Sequence, residues 1–467
     1  MHLHYDVCVV GGGPAGGIAA RQLAKLGLST CIVDPGAATA GHVGISLPPP
    51  VRTILASIGL AVEDAVLLQP DGALIIWGHD KQPAYKRHPV AGLTVDRPRF
   101  DALVLSAARA AGAHIMMPAV ASRPVRQEDG FWRIPFRHSG KHEAVYARYL
   151  VDAAGRHGIL RRRRQPHSSR TFAMYGIWTD VRMNGQESRV EAAADGWAWG
   201  TPLSDSDLFA AVFVDELAIA QIGRSRIVES YCRHLATSEL LHACVHGRLR
   251  STVKICEASP LPPVDVCGPN HIKVGDAGLC LDPLSSQGVQ RAIVSALQAA
   301  AVANTTLRTP ANAALARAFY EQRLDDAAEQ DRSATETIYR EQAEVTPTPF
   351  WTRRCGRLQL SDRQHASSDA SPPPGALSLS KDVRLGPTGA LVDGLIVPQQ
   401  ALFHPEFAGP VAFLGGYPID RVLAPVRQGI SPGELERAWR ALLPGASATD
   451  ILSWLLSRRI LVATDAN

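Results

Sequence analysis

The sequence has no apolar run long enough to span a bilayer, which excludes a transmembrane helix. It has no basic amphipathic helix of the kind that lies on a membrane surface. None of its eight cysteines (Cys8, Cys31, Cys232, Cys244, Cys256, Cys267, Cys280, Cys355) forms a C-x-x-C pair. Its 16 histidines include no H-E-x-x-H pattern. No metal site is therefore expected. A net charge of only +4 does not suggest a nucleic-acid binder. The first apolar strand starts within a few residues of Met1, so no signal peptide is expected. With the cysteines dispersed, the expected compartment is the reducing cytoplasm.

What is present is 467 residues, 46% of them apolar and 20% charged, enough for two or three globular domains with a large core. The chain opens on Tyr5-Asp6-Val7-Cys8-Val9-Val10, a short apolar run that reads as a buried parallel strand. Gly11-Gly12-Gly13-Pro14-Ala15-Gly16 follows at once. Gly11 permits the tight turn, Gly13 lets a pyrophosphate approach the backbone, and Gly16 lets the helix pack closely on the strand. A helix from Pro14 to Leu26 ends at Gly27, and a strand over Thr30 to Val33 delivers Asp34. An acidic residue at that point would accept hydrogen bonds from an adenosine ribose. Strand, turn, helix, strand and acid in order point to an ADP-containing cofactor.

Further along, Gly41 to Pro50 is dense in Gly and Pro, as where a backbone passes close to something. Arg97, at a strand end, faces either a pyrophosphate or solvent. Tyr149 to Asp152 is a strand running into Ala153-Ala154-Gly155-Arg156. Arg161 to Arg164 reads as a solvated loop. Residues 170–270 alternate apolar and polar stretches and read as strands. Trp197 and Trp199 lie among them and would share one sheet face. Ile272 to Asp276 is a strand ending in Gly275-Asp276, followed by Asp282-Pro283 and a helix entered at Gly288. The positive end of that helix would favour negative charge on a reduced flavin, and Asp276 would bond a ribityl hydroxyl.

The opening fingerprint, Asp152 to Arg156, and Gly275-Asp276 with Pro283 and Gly288 resemble the three signatures of class A flavoprotein monooxygenases, in order and spacing. The resemblance spans about the first 350 residues. It implies an α/β architecture: a glutathione-reductase-like Rossmann domain for FAD, interleaved with a β-sheet substrate domain. It implies cofactor contacts from Gly11, Gly13, Pro14, Ala15, Gly16, Asp34, Ser46, Arg97, Asp152, Gly155, Gly275, Asp276, Pro283 and Gly288. Trp197-Ala198-Trp199-Gly200-Thr201-Pro202 resembles the W-x-W-x-I-P motif of the tryptophan-halogenase branch, with Thr201 for Ile. On that likeness Trp197, Trp199 and Pro202 are the catalytic-site residues. Gly44 to Pro49 resembles the branch's G-E-S-x-x-P loop, with Ile45 for Glu. The branch's catalytic lysine has only Lys81 and Lys86 as nearby candidates.

On this reading residues 1–355 carry the interleaved domains, 356–383 a Ser- and Pro-rich linker, and 384–467 a small helical or winged-helix-like module. Within the module, Ser431-Pro432-Gly433-Glu434 and Ser447-Ala448-Thr449-Asp450 read as capping boxes. Arg458 to Val462 reads as a closing strand. The module is similar to the leader-recognition domains of peptide-modifying enzymes, and is equally a plain structural appendage.

The resemblance implies hydroxylation of an aromatic ring through a flavin C4a-hydroperoxide, with FAD reduced by NAD(P)H or by a separate reductase. The core and the extra module together resemble the flavoprotein monooxygenases that mature tryptophylquinone cofactors. The expected substrate is then a tryptophan in a small crosslinked subunit, with other maturation enzymes as further partners. The alternatives are a flavin-dependent halogenase, a small-molecule aromatic hydroxylase, an isoprenoid saturase, and a maturation partner in which FAD is only structural.

Overall fold

The computed structural model describes residues 3–36, 46–80, 82–160, 164–166, 169–223, 226–250, 252–356, 375–407 and 409–464. Residues 41–45, Lys81, 161–163 and the Ser- and Pro-rich stretch up to 374, all singled out above, lie outside them. The chain forms two compact units: Met1–Asn304 with Ala327–Arg357, and Thr305–Asp326 with Leu358–Asn467.

The first unit begins with β1 (Leu3–Val10), α1 (Pro14–Lys25) and β2 (Thr30–Val33). Then come β3 (Ser46–Leu47), β4 (Leu93–Val95), α2 (Arg97–Ala110), β5 (His114–Met116) and β6 (Lys141–Asp152). A second run is β7 (Thr171–Thr179), β8 (Ser188–Ala193), β9 (Gly196–Pro202) and β10 (Leu208–Asp215). Next come β11 (His271–Lys273), α3 (Gly288–Arg308), the long α4 (Ala313–Val345) and α5 (Pro349–Thr352), with residues 305–326 of α3, α4 and their connection counted in the second unit.

Val7, Cys8, Val9 and Val10 are all buried because β1 is central, paired in parallel with β2 on one side and β6 on the other. β5 extends the sheet beyond β2, and β11 joins β6. Helix α1 packs on this sheet and against α2. A Cβ on Gly17 would meet the Val104 side chain at 2.5 Å, so glycine sets that close approach. Leu28 N donates to Leu23 O at 3.1 Å across Gly27, whose φ of +78° ends the helix.

The second sheet has eight strands. Its path runs from Arg248–Leu249 through β7, β10, β9 and β8 to Gly72–Ile76 and Ala84–Arg87. The last two strands come from before β4, so this sheet is threaded through the first and is not confined to residues 170–270. Every residue from Leu208 to Val214 is buried, because both faces of the sheet are covered. One face packs Met174, Trp178, Ala198 and Val212 against Tyr231 and Leu235. The other packs Tyr175, Trp197, Phe209 and Phe213 against Tyr339, Phe350 and Trp351. Each such side chain contributes about 1.5–3 kcal/mol when removed from water.

The second unit contains β12 (Leu377–Leu379), β13 (Arg384–Val392), β14 (Leu395–Phe403), α6 (Pro432–Leu442), α7 (Ala448–Ser457) and β15 (Leu461–Ala463). At α6 the capping box closes both ways: Ser431 Oγ accepts from Glu434 N at 3.3 Å, and Glu434 Oε2 accepts from Ser431 N at 3.1 Å. Ser447 Oγ accepts from Asp450 N at 3.2 Å at the start of α7. Leu435, Trp439, Leu452 and Leu455 form the core with Leu377 and Leu402. The closing strand starts at Leu461, not Arg458, because Arg459 adopts a φ of +55° in the turn before it. It pairs antiparallel with β12.

Candidate functional site

The loops that end β1, β6 and β11 surround one cleft. Gly11, at φ +105°, has no room for a side chain: a Cβ would lie 2.3 Å from Ala153 O. A Cβ on Gly16 would lie 1.8 Å from Gly11 O. Gly13, Gly155 and Gly288 are the opposite case, since a Cβ on any of them meets no atom within 4 Å. The first pair is glycine for packing, and the second set borders open space. Pro14 and Ala15 form the first turn of α1, with its free N–H groups beside Gly13.

Asp34 projects from the end of β2. Its Oδ2 accepts from Gly12 N at 2.6 Å and its Oδ1 from Gly36 N at 2.7 Å. Those bonds fix the carboxylate beside the glycine turn and leave lone pairs for ribose hydroxyls.

Asp152 does not reach the cleft. It is fully buried, and its carboxylate accepts from Ala154 N, Ile159 N and Leu160 N at 3.2, 2.9 and 2.9 Å. It folds the Gly155 loop and cannot also serve as a direct cofactor ligand.

Asp276 lies at the floor of the cleft, accessible yet ringed by protein dense enough to push its carboxyl up, against the pull of Arg156, Arg164 and Arg97. Arg97 also donates to Asp101 Oδ1 at 2.9 Å, so it is an ion-paired residue near the cleft and not a solvated one. Arg164 is held by protein and is not a solvated loop residue; the other three arginines of its run lie outside the described residues. The Arg164 guanidinium donates to Asp276 O at 2.6 Å, Arg156 O at 3.0 Å and Gly278 O at 3.1 Å. Arg156 Nη1 is buried with no hydrogen-bond partner among the described residues.

Pro283 opens a short 3-10 turn, and the exposed residues Ser286, Gln287 and Gly288 bring the chain to the N-terminus of α3. Open space at three glycines, an anchored acid and an orphaned buried guanidinium donor fit FAD. Gly13, Pro14 and Ala15 would hold its pyrophosphate, Asp34 its ribose and Asp276 its ribityl chain.

Beside the cleft stands the aromatic face of the second sheet. Trp197 stacks on Phe213 with centroids 3.8 Å apart and planes at 8°. Trp199, on the same face, leans on Phe209 at 5.4 Å. Pro202 departs from this arrangement. Strand alternation puts it on the other face, where it lines a surface pocket of about 400 Å³ with Val181, Met183, Ser204 and Leu208.

Thr201, standing where the resembling motif has Ile, is fully buried. Its Oγ1 lies 3.3 Å from Thr94 Oγ1 and accepts from Ser188 Oγ at 3.3 Å. Thr94 is the strand partner of Ser46 in β3. Lys86 sits exposed on the edge strand Ala84–Arg87.

The residues that sequence reading missed are Asp282, Asp331, Tyr339 and Arg354. Burial pushes the Asp282 carboxyl up to about 6. Asp282 was visible only as the partner of Pro283. Tyr339 lies in the long, highly charged α4 and Arg354 in the turn after α5, neither near any sequence motif.

Residues 6–167 match the FAD dependent oxidoreductase family. The chain is 28% identical over 346 residues to tryptophan 2-halogenase of Chondromyces crocatus, a match covering 68% of this chain and 64% of that one. Thus it spans just under two thirds of that relative's length. The fold superposes on CmlS, a flavin-dependent halogenase, with a TM-score of 0.80 at 22% identity, covering 99% of this chain and 96% of that one. It superposes on QhpG, a peptidyl tryptophan dihydroxylase essential for tryptophylquinone cofactor biogenesis, with a TM-score of 0.74. There the identity is 25%, over 97% of this chain and 99% of that one. Over residues 6–167 the chain is similar to the FAD dependent oxidoreductases, and its fold is that of the flavin-dependent halogenase CmlS.

Proposed function

We propose that this enzyme hydroxylates an aromatic ring, and that the ring is a tryptophan within a polypeptide destined to become a tryptophylquinone. The observation that carries this reading is the likeness to QhpG, which extends over nearly the whole of both chains and so takes in the second unit. That unit is the natural candidate for docking a protein substrate. Bound FAD, once reduced by NAD(P)H or by a separate reductase, supplies oxygen activated from dioxygen.

The chain's own groups do the rest. Trp199, half-buried on the sheet face, offers an apolar wall against which an indole packs, and the core behind it, with Trp197 stacked on Phe213, excludes water. Asp276 and the N-terminus of α3 orient the cofactor ring. Halogenation is the second reading, favoured by the identity with tryptophan 2-halogenase.

The test is a native mass spectrum of the protein purified from its own host, followed by flavin reduction in air. A co-purifying small polypeptide that gains oxygen mass supports peptidyl hydroxylation. Chlorine or bromine isotope patterns on the product would replace it with halogenation. FAD alone at low salt, with oxygen transfer only to a free aromatic, would reject the peptide substrate.

A further inference from the structure

Helix α4 carries Asp331, Thr335 and Tyr339 on one stripe, four residues apart, facing the loop that leads into α3. Asp331 Oδ2 accepts from Asp282 N at 2.9 Å. Eight residues on, the buried Tyr339 hydroxyl donates to both oxygens of Asp282, at 3.1 and 3.0 Å. Asp282 Oδ1 also accepts from Leu284 N at 2.9 Å. The loop is therefore pinned at its backbone and at its side chain by one helix.

The same Tyr339 ring packs 5.9 Å from Trp351, and the Trp197 indole N–H lies beside its hydroxyl. We propose that Asp282 and Tyr339 are positioning residues for the flavin: their phenol–carboxylate pair latches the loop, and with it the N-terminus of α3, in the geometry that accepts FAD. The inference rests on the FAD site alone and stands whether the reaction is hydroxylation or halogenation.

The charged groups around the pair are few. Asp331 raises the Asp282 carboxyl, while the buried Arg354 guanidinium lowers it. Arg354 is itself held over the Phe350 ring at 3.9 Å and bonded to Thr171 Oγ1 at 2.9 Å. Arg291 balances Asp331, and Asp215 acts on Arg354. Ionised Asp282 has acceptor sites for both Tyr339 and Leu284. Protonation exchanges the charge-assisted phenol–carboxylate bond for a neutral one about half as strong. The latch then loosens as pH falls through about 6.

The test is FAD binding by the full chain, read by flavin fluorescence across mildly acid to neutral pH, for wild type, Asp282→Asn and Tyr339→Phe. Wild-type affinity is expected to fall about tenfold, one pKa unit's equivalent, on the acid side of the midpoint. D282N binds weakly with no pH dependence. Y339F removes a bond that lowers the Asp282 carboxyl, so its midpoint moves to higher pH. Should D282N misfold, Y339F, which loses one oxygen atom, carries the test alone. The proposal is overturned by D282N keeping the wild-type slope, or by Y339F keeping both wild-type affinity and midpoint.

Discussion

Thr94 and Thr201 place their hydroxyls 3.3 Å apart, joining the short sheet that carries Ser46 to the sheet that carries both tryptophans. Ser188 completes the contact. Thr94 and Thr201 are fully buried and Ser188 partly so, and the hydroxyl at position 201 is matched to its neighbours. Thr201→Val, equal in shape, takes this partner from the buried Thr94 hydroxyl and should cost about 1–3 kcal/mol in denaturant unfolding. Thr201→Ile should cost at least as much, because it also adds a methylene to a packed site.

The glycine fingerprint splits into two testable kinds. Gly16→Ala drives a Cβ to 1.8 Å from Gly11 O, so the first turn of α1 cannot form as it stands. That variant should be purified without flavin absorbance and with lowered thermal stability. Gly13→Ala has room and an ordinary φ of −66°, so it should fold normally. Its methyl group occupies space meant for the cofactor, and FAD titration should show affinity weakened on the order of tenfold, about 1.4 kcal/mol.

Asp34→Asn keeps one acceptor where the carboxylate has two, and both are in use at 2.6 and 2.7 Å. The amide must present N–H₂ to Gly12 or Gly36. We expect weaker FAD binding and a loss of about 1–3 kcal/mol in cofactor-free stability, measured by the same titration and by urea unfolding.

How far the site was legible in the sequence follows from where its contacts are made. Gly11, Gly13, Gly16 and Asp34 act within one strand-turn-helix, so their spacing carries their roles. Asp152 shares a motif with Gly155 yet spends its carboxylate on its own loop, which no spacing distinguishes from a ligand. Pro202 follows the tryptophans in the chain but falls on the opposite sheet face, a matter of parity that two-residue alternation contains and motif matching overlooks. Tyr339 and Arg354 reach the site only because α4 and α5 fold back over a sheet formed far earlier in the chain. The β13–β14 hairpin had a local signal in Asp393-Gly394, both at positive φ, that the Ser- and Pro-rich stretch before it obscured.

The Asp282 carboxyl also gives the chain a pH signature without FAD. Its folded value of about 6 lies above the ordinary 3.8, so the folded state holds this proton more tightly than the unfolded state does. The stabilisation is complete below the unfolded value and is lost as pH rises through about 6. It amounts to at most about 3 kcal/mol across that window. Asp282→Asn should flatten the corresponding part of the stability profile of the cofactor-free chain, measured by urea unfolding at several pH values.

The threading of Gly72–Ile76 into the second sheet has a consequence for synthesis. Ala73 finds its partner Ser188 roughly 115 residues later. At cellular elongation rates the ribosome needs on the order of ten seconds to supply it. For that interval a nascent apolar strand has the edge that Ser188–Ala193 will cover still open, an edge that a chaperone could shield.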